Sequence, residues 1–342
     1  TITKKIDRSV DYEYESDFSI LKQILVTTIP ILMGTAIFSI TSTIDLKMMN
    51  DRLPAVIEQL LNSGQHQYIR LSSVVGLTPV QIVDMLKGQY SVKYLTLVNV
   101  PISLIISLAT VSTPAISYAM AIKDYEDVRE KTRIVMKIGM LFAFPSAIGM
   151  AVLANPIIKL LFRSQPDGGS LLQLGTIAIV FITIAQVCTG ILQGMGKQHL
   201  PTIHALVACL IKIILNMVLL AIPSINIVGI IYSTIISYMV YALLNLIAVV
   251  KLTGIEFDIV DVFIKPALIS SIMGLVIWGG NWGLLKVTQS SLVQIVVLVP
   301  LAVSIYGVGA ILLKALTPAE IAMIPGGPKI AALLKSKGIF IE

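Results

Sequence analysis

Apolar stretches separated by short polar breaks follow one another along the chain from Leu21 to Leu313. A helix that crosses the hydrocarbon core of a bilayer needs about 20 apolar residues. Windows of that size predict eight spans: Leu21–Met49, Tyr94–Ala121, Ile134–Ala154, Leu171–Gln193, Ile203–Ile222, Val228–Val250, Phe263–Leu285 and Leu292–Leu313. No alternation of period 2 accompanies them, which argues against a porin-like barrel. The sequence therefore predicts an all-α, polytopic membrane helix bundle.

Composition and charge agree with this class and add an orientation. The mean hydropathy is +0.89, and only 13% of the residues are charged. Lys and Arg are more frequent in the segments that share a side with the two termini, above all between Lys123 and Lys137, which predicts a multi-pass protein of the cell membrane with both termini cytoplasmic. The basic residues are scattered over loops and do not form one face, so we expect no nucleic-acid partner.

The longest extramembrane insertion lies between the first two spans, at residues 50–93. Leucine, valine and isoleucine recur there at helical spacing, and Thr78 followed by Pro79 is typical of a helix start. We expect short amphipathic helices on the outer membrane surface. The cytoplasmic residues 314–342 read as an amphipathic tail, whereas residues 1–19 resemble an inter-helix loop, as if the chain were a piece of a longer protein.

Polar side chains inside the spans predict a wet interior, because such groups in hydrocarbon usually face protein or water. They form stripes on four of the spans, and prolines within the spans favour a bundle that encloses a cavity. We predict that five of these residues converge on one cavity surface: Gln186, Gln193, Thr234, Tyr238 and Asn245. The alternative for each residue is a bond to its own helix, or an interhelical contact worth about 1 kcal/mol.

Among the polar residues of the spans, Lys212 has the greatest need of a compensating partner, because it lies near the middle of the fifth span. A charged ammonium at that depth costs at least about 2.5 kcal/mol. It must therefore pair with a carboxylate, reach the interface or lie in an aqueous cavity. Asp45 is the only acid within the predicted spans, which leaves two candidate counter-ions: Asp45 itself, or a phosphate-bearing substrate.

Motifs for catalysis and for cofactors are absent from the sequence. It contains no P-loop, no HExxH, no paired CxxC and no GxSxG. The three histidines are scattered, and Cys188 and Cys209 fall inside spans, where reduced and buried thiols are expected. We therefore expect neither an enzyme nor a bound cofactor or metal.

Several motifs resemble one known superfamily. The run QVCTGILQGMGK at Gln186–Lys197, with Asn99 to Pro101, Ser112 to Ser117 and Ile324 to Gly338, is similar to polysaccharide-type flippases of the multidrug/oligosaccharidyl-lipid/polysaccharide exporter superfamily. The branch that it resembles most contains the stage V sporulation protein B and lipid II flippase proteins.

The resemblance implies an architecture and a function. Members have two six-helix lobes around a central cavity, often followed by two further helices. Residues 20–250 would then be the second lobe, residues 251–313 the two additional helices and residues 1–19 an inter-lobe segment, with the first lobe absent. The implied activity is the flipping of an undecaprenyl-linked oligosaccharide or peptidoglycan precursor by alternating access, with the lipid bilayer and this anionic saccharide as partners.

The resemblance also implies residue roles. Lys212 and Arg52 would contact the headgroup. In some relatives sodium is bound by residues that match Asp45, Asn216 and Thr234, but Leu220 stands where their second acid would be, which weakens a sodium site here.

Two alternatives stay open at this point. One is a multidrug cation antiporter of the same superfamily, and the other is a non-transporting membrane scaffold in envelope assembly.

Overall fold

The computed structural model describes residues 16–315, and within that range the chain is helical and contains no strand. The all-α prediction is thereby confirmed for the described part of the chain. The helices are α1 (Asp17–Asn62), α2 (Pro79–Gly88), α3 (Leu95–Ala121), α4 (Tyr125–Val152), α5 (Ala154–Leu161), α6 (Gly169–Gly175), α7 (Ala178–Gly194), α8 (His199–Leu219), α9 (Val228–Thr253), α10 (Lys265–Val287) and α11 (Ser291–Leu312). The predicted segment 1–19 and tail 314–342 lie, except at their inner ends, outside the described residues.

Among the described helices, seven are long and apolar enough to cross a membrane. Two of these run through π-helical turns: α2 and α3 form one helix over Pro79–Ala121, and α10 is extended to Val260–Val287. The remaining predicted span, Leu171–Gln193, is the pair α6 and α7, which bends by 46°. The bend goes around Tyr94, whose hydroxyl donates to the Gly175 carbonyl at 3.3 Å.

The insertion differs from the prediction of short, separate surface helices. Its first helical stretch is the end of α1, a single helix of 46 residues, and its second is the beginning of the Pro79–Ala121 helix. Leu53, Ile57 and Leu60 are fully buried, as are Ile82 and Leu86 of α2, because the two stretches pack against each other. The prediction was wrong because helical periodicity does not reveal where a continuous helix leaves the membrane.

The additional helices α10 and α11 pack on α4 and α5. A charged cluster fixes this contact: Asp261 lies 2.6 Å from the buried Lys137 ammonium and 2.8 Å from that of Lys265. Asp261 belongs to the Val260–Val287 helix and precedes the predicted span, which begins at Phe263.

Candidate functional site

A polar cavity of about 420 Å³ lies inside an arc of five helices. In the arc α1 packs on α8, α8 on α9, α9 on α7 and α7 on α3, so that α1 and α3 form its two ends. At the end of the insertion α1 also packs on α2, which closes the arc there. The cavity occupies the opposite part, where α1 and α3 diverge, and its wall contains the prolines Pro30 and Pro114.

The wall of this cavity is neutral and able to form hydrogen bonds. Gln186 and Gln193 on α7 present amides, and Thr189 and Tyr241 present hydroxyls that bond to each other at 3.0 Å. No acidic or basic side chain lines the cavity in the part of the chain that the structure describes. The arrangement can bind a polar, uncharged group that offers many hydroxyls.

A charged cluster lies deeper in the same lobe, centred on the fully buried Asp45 of α1. The Lys212 ammonium is 2.5 Å from Asp45 Oδ2, and the Tyr90 hydroxyl donates to the same oxygen at 2.8 Å. The amide of Asn216 donates to Oδ1 at 2.7 Å, while its own oxygen accepts from Ser233. One carboxylate therefore joins α1, α8 and the π-helical turn before α3, and reaches α9 through Asn216.

Three aromatic rings separate the cavity from this cluster. Phe38 is stacked on Tyr238 with ring centroids 5.6 Å apart and is tilted against Tyr241 at 5.3 Å. On the far side of Phe38 is a void of about 10 Å³, lined also by Tyr238 and Lys212. A void of that size holds a single water molecule.

Comparison with known proteins identifies relatives among membrane transporters. The family model MatE matches residues 93–218. The lipid II flippase MurJ of Bacillus subtilis (strain 168) is 24% identical over 219 residues, which are 62% of this chain and 40% of that protein. The uncharacterized membrane protein YabM of the same organism is 28% identical over 141 residues, or 41% of this chain and 26% of that protein.

Solved structures share the fold. A lipid II flippase MurJ in an inward closed conformation superposes with a TM-score of 0.61 at 18% identity, covering 88% of this chain and 56% of that one. An outward-facing multidrug resistance transporter of the MATE family has a TM-score of 0.52 at 14% identity, covering 92% and 70%. The chain thus spans less than half the length of the curated relatives that it matches.

The match to the MatE model and the similarity to the lipid II flippase MurJ support an assignment of the chain to the multidrug/oligosaccharidyl-lipid/polysaccharide exporter superfamily. The relatives in this superfamily are transporters and flippases, and the apolar helices make the chain a multi-pass membrane protein.

The sodium ligands that the superfamily resemblance implied do not form a cation site in this structure. Every group directed at Asp45 is a hydrogen-bond donor, and the Lys212 ammonium already supplies the positive charge. The Thr234 hydroxyl donates to the Ile230 carbonyl at 2.7 Å, and Leu220 brings no oxygen from its side chain. Sodium needs several oxygen ligands, so the residues do not fit this ion.

The five residues that we expected on one cavity surface are divided. Gln186 and Gln193 line the cavity, whereas Tyr238 lines the small void beside Lys212. Asn245 is fully buried and bonds to His204 at 2.7 Å and to Thr189 at 3.1 Å. Asn245 and Thr234 are buried and do not line the cavity, and Tyr238 lines a different void, so the prediction of one shared surface was wrong for these three residues. Angular position on a helix does not reveal which neighbour covers a side chain.

Arg52 lies apart from the cavity. It is exposed on α1, two turns beyond Asp45 and therefore roughly 10 Å further along the axis. It belongs to the end of α1 that packs on the insertion, whereas the cavity is lined by the other half of α1.

Sequence reasoning missed Tyr90, Ser233 and Phe38. Tyr90 was assigned to the external insertion, and it reaches Asp45 only because the Pro79–Ala121 helix is continuous. Phe38 carries no polar signal at all. Ser233 lies one residue before Thr234 and one helical turn before Ser237. That spacing was the one signal in the sequence that could have placed Ser233 in the α8–α9 interface.

Proposed function

We propose that the protein is a flippase that moves an undecaprenyl-linked saccharide, such as a peptidoglycan precursor, across the cytoplasmic membrane by alternating access. The described lobe contributes one wall of the substrate path. The neutral amide and hydroxyl surface of the cavity carries this proposal.

A saccharide headgroup matches the chemistry of that surface. Sugars present hydroxyls that both donate and accept, and the Gln186 and Gln193 amides can do the same. Cavities of about 300–1,000 Å³ are usual for small-molecule sites, and the described lobe alone provides about 420 Å³. The pyrophosphate of the substrate carries negative charge, and the cation Lys212 lies behind the aromatic rings.

A polyprenyl tail needs an apolar path beside the headgroup site. Two apolar grooves accompany the additional helices: one of about 550 Å³ between α10 and α11, and one of about 500 Å³ bounded by α4, α10 and α11. Residues such as Leu268, Ile272, Phe142 and Met150 line them. A lipid chain in these grooves would contact apolar side chains, just as it contacts other lipid tails in the bilayer. The tail can therefore follow the headgroup without leaving an apolar environment.

The chemistry argues against a multidrug cation antiporter. A lipophilic cation is held best by a carboxylate in the transport path. No acid lines the cavity among the described residues, and Asp45 is neutralised by Lys212. A membrane scaffold, in turn, has no need of a polar cavity of this volume.

The test is a flipping assay with the native protein in proteoliposomes and a fluorescent polyprenyl-pyrophosphoryl saccharide. Gln193→Leu removes an amide from the cavity wall and is expected to slow flipping roughly tenfold, as for the loss of one hydrogen bond of about 1.4 kcal/mol. Gln173→Leu is the matched control, because Gln173 is exposed on α6 and does not line the cavity.

The outcome separates the functions. Transport of tetraphenylphosphonium by the native protein, without movement of the lipid-linked saccharide, would replace the flippase with a cation antiporter. Movement of neither probe would favour the scaffold.

The proposed orientation can be tested in intact cells. The excess of Lys and Arg predicts that the insertion faces outward and that the cavity, which opens at the other end, faces the cytoplasm. An epitope inserted at the exposed Gly64 is expected to be accessible to antibody from outside, and one inserted at Gly196 only after permeabilisation. The opposite accessibility would reverse the proposed topology.

A further inference from the structure

Phe38 lies between two chemically different compartments along α1. It lines the neutral cavity of about 420 Å³ and also the void of about 10 Å³ beside Lys212. The two compartments share Phe38 alone among their lining residues. Displacement of this ring would join them.

The rings of Phe38 and Tyr241 are held by different kinds of contact. Tyr241 is fixed by the hydrogen bond to Thr189 at 3.0 Å. Phe38 has no polar atom and is half-buried, so that apolar contacts alone hold its ring, among them the stacking on Tyr238 and the contact with Tyr241. Such aromatic contacts are worth about 0.5–1.5 kcal/mol each.

Gly34 provides the space for this motion. A helical side chain lies over the turn that precedes its own Cα, and Gly34 is one turn before Phe38. A Cβ at Gly34 would meet only the Thr202 hydroxyl, at 3.5 Å, so the surface over that turn is otherwise open. Because Gly34 lines the cavity as well, a ring that swings over it moves into the cavity and leaves the void uncovered.

The compartment behind the ring has the chemistry of an anion site. It contains the Lys212 ammonium together with the side chains of Thr41, Ser237 and Tyr238. The ammonium has three donor hydrogens, and its identified bond goes to Asp45. A phosphate oxygen that enters the void would therefore meet the Lys212 cation, whereas the Thr41 and Ser237 hydroxyls already donate to the Ile37 and Thr234 carbonyls.

We propose that Phe38 is the gate between the saccharide cavity and an occluded anion site at Lys212. The identity of the anion, the pyrophosphate of the lipid-linked saccharide, rests on the proposed function. The gate itself does not, because its opening changes water access to the void whatever the substrate is.

A native cysteine reports that access. Cys209 lines the void and accepts a hydrogen bond from Thr41 at 3.0 Å. A charged, membrane-impermeant methanethiosulfonate reacts with a thiolate in water and not with a thiol in lipid. The other cysteine of the sequence, Cys188, is fully buried on α7. For the experiment it is replaced by alanine, so that Cys209 is the single thiol left to react.

In this Cys188→Ala background, Phe38→Ala is expected to accelerate the labelling of Cys209 by roughly tenfold or more, because the labelling rate follows the open fraction. Phe38→Trp should leave it at or below the parent rate. Phe142→Ala is the matched control, since Phe142 is exposed on α4 and lines an apolar groove elsewhere. An unchanged rate in a folded Phe38→Ala protein, or fast labelling of the parent, would overturn the gate.

A second measurement links the gate to the anion. Inorganic pyrophosphate is expected to slow the labelling of Cys209 in the Phe38→Ala protein and to have no effect when Lys212→Gln is added together with Asp45→Asn, which removes the buried charge that Lys212 compensates. If Phe38→Ala opens the void and pyrophosphate gives no protection, the gate stands and the anion is wrong. If the saccharide is not flipped but the void still opens, the proposed function fails and the gate does not.

Discussion

Replacement of Lys212 alone by leucine is expected to destabilise the protein by roughly 3–5 kcal/mol, because it leaves the carboxylate of Asp45 buried without its cation. Asp45 is 0% exposed, and its other partners, Tyr90 and Asn216, are neutral donors. The loss should appear as a large decrease in melting temperature in detergent and as a low yield of folded protein.

The same change in an Asp45→Asn background should cost far less. An asparagine at position 45 keeps an acceptor oxygen for Tyr90 or Asn216 and carries no charge, so that nothing requires the ammonium. The double variant is therefore expected to recover most of the melting temperature lost by Lys212→Leu. If both variants melt at the same low temperature, the two residues are not energetically coupled, and Lys212 stabilises the bundle by other contacts.

A surface pair gives the scale for this comparison. Lys131 and Asp127 are also 2.5 Å apart, but about a third of each side chain is exposed, at 30% and 31%. Exposed pairs contribute about 0–1 kcal/mol. Lys131 also donates to the Ala115 carbonyl at 3.2 Å, so Lys131→Leu is expected to lower the melting temperature slightly and far less than Lys212→Leu does. That difference would attribute the effect at Lys212 to burial and not to the removal of a lysine as such.

Substitution of Gly194 by alanine is expected to destabilise the bundle by roughly 1–3 kcal/mol, because it forces α3 and α7 apart. A Cβ at Gly194 would lie 2.8 Å from the Thr113 carbonyl oxygen and 3.1 Å from Ile116 Cβ. A backbone oxygen in a helix cannot yield as the end of a side chain can. The shift also moves Gln193 and Thr113, which line the cavity, so flipping should decrease along with the melting temperature.

Gly279→Ala is the control for this change. Gly279 lies in α10, and a Cβ there meets nothing within 4 Å. Alanine is favoured over glycine in a helix by about 1 kcal/mol, so this variant should be as stable as the parent or slightly more stable. Equal melting temperatures for Gly194→Ala and Gly279→Ala would mean that α3 and α7 accommodate the added methyl group.

The outcome at Lys212 shows how far the residues themselves lead. A lysine in the middle of an apolar span needs a counter-ion or water in any fold. From the sequence alone two counter-ions were possible, Asp45 and a substrate anion. In the structure the ammonium is 2.5 Å from Asp45. Which candidate applies depends on how α1 and α8 face each other, and nothing in either helix by itself records that.

The sequence by itself determined the properties that follow from local chemistry: the class of fold, the approximate extent of most spans, and the polar faces of α7, α8 and α9. Length, hydropathy and helical period decide these, since a backbone in lipid must satisfy its own hydrogen bonds. Only the tertiary structure decided that the helix beginning at Pro79 continues into the membrane, that Asn245 is sealed by His204 while Gln193 faces a cavity, and that Phe38 separates this cavity from Lys212. Each of these depends on which helices become neighbours, and that depends on packing between residues far apart in the chain.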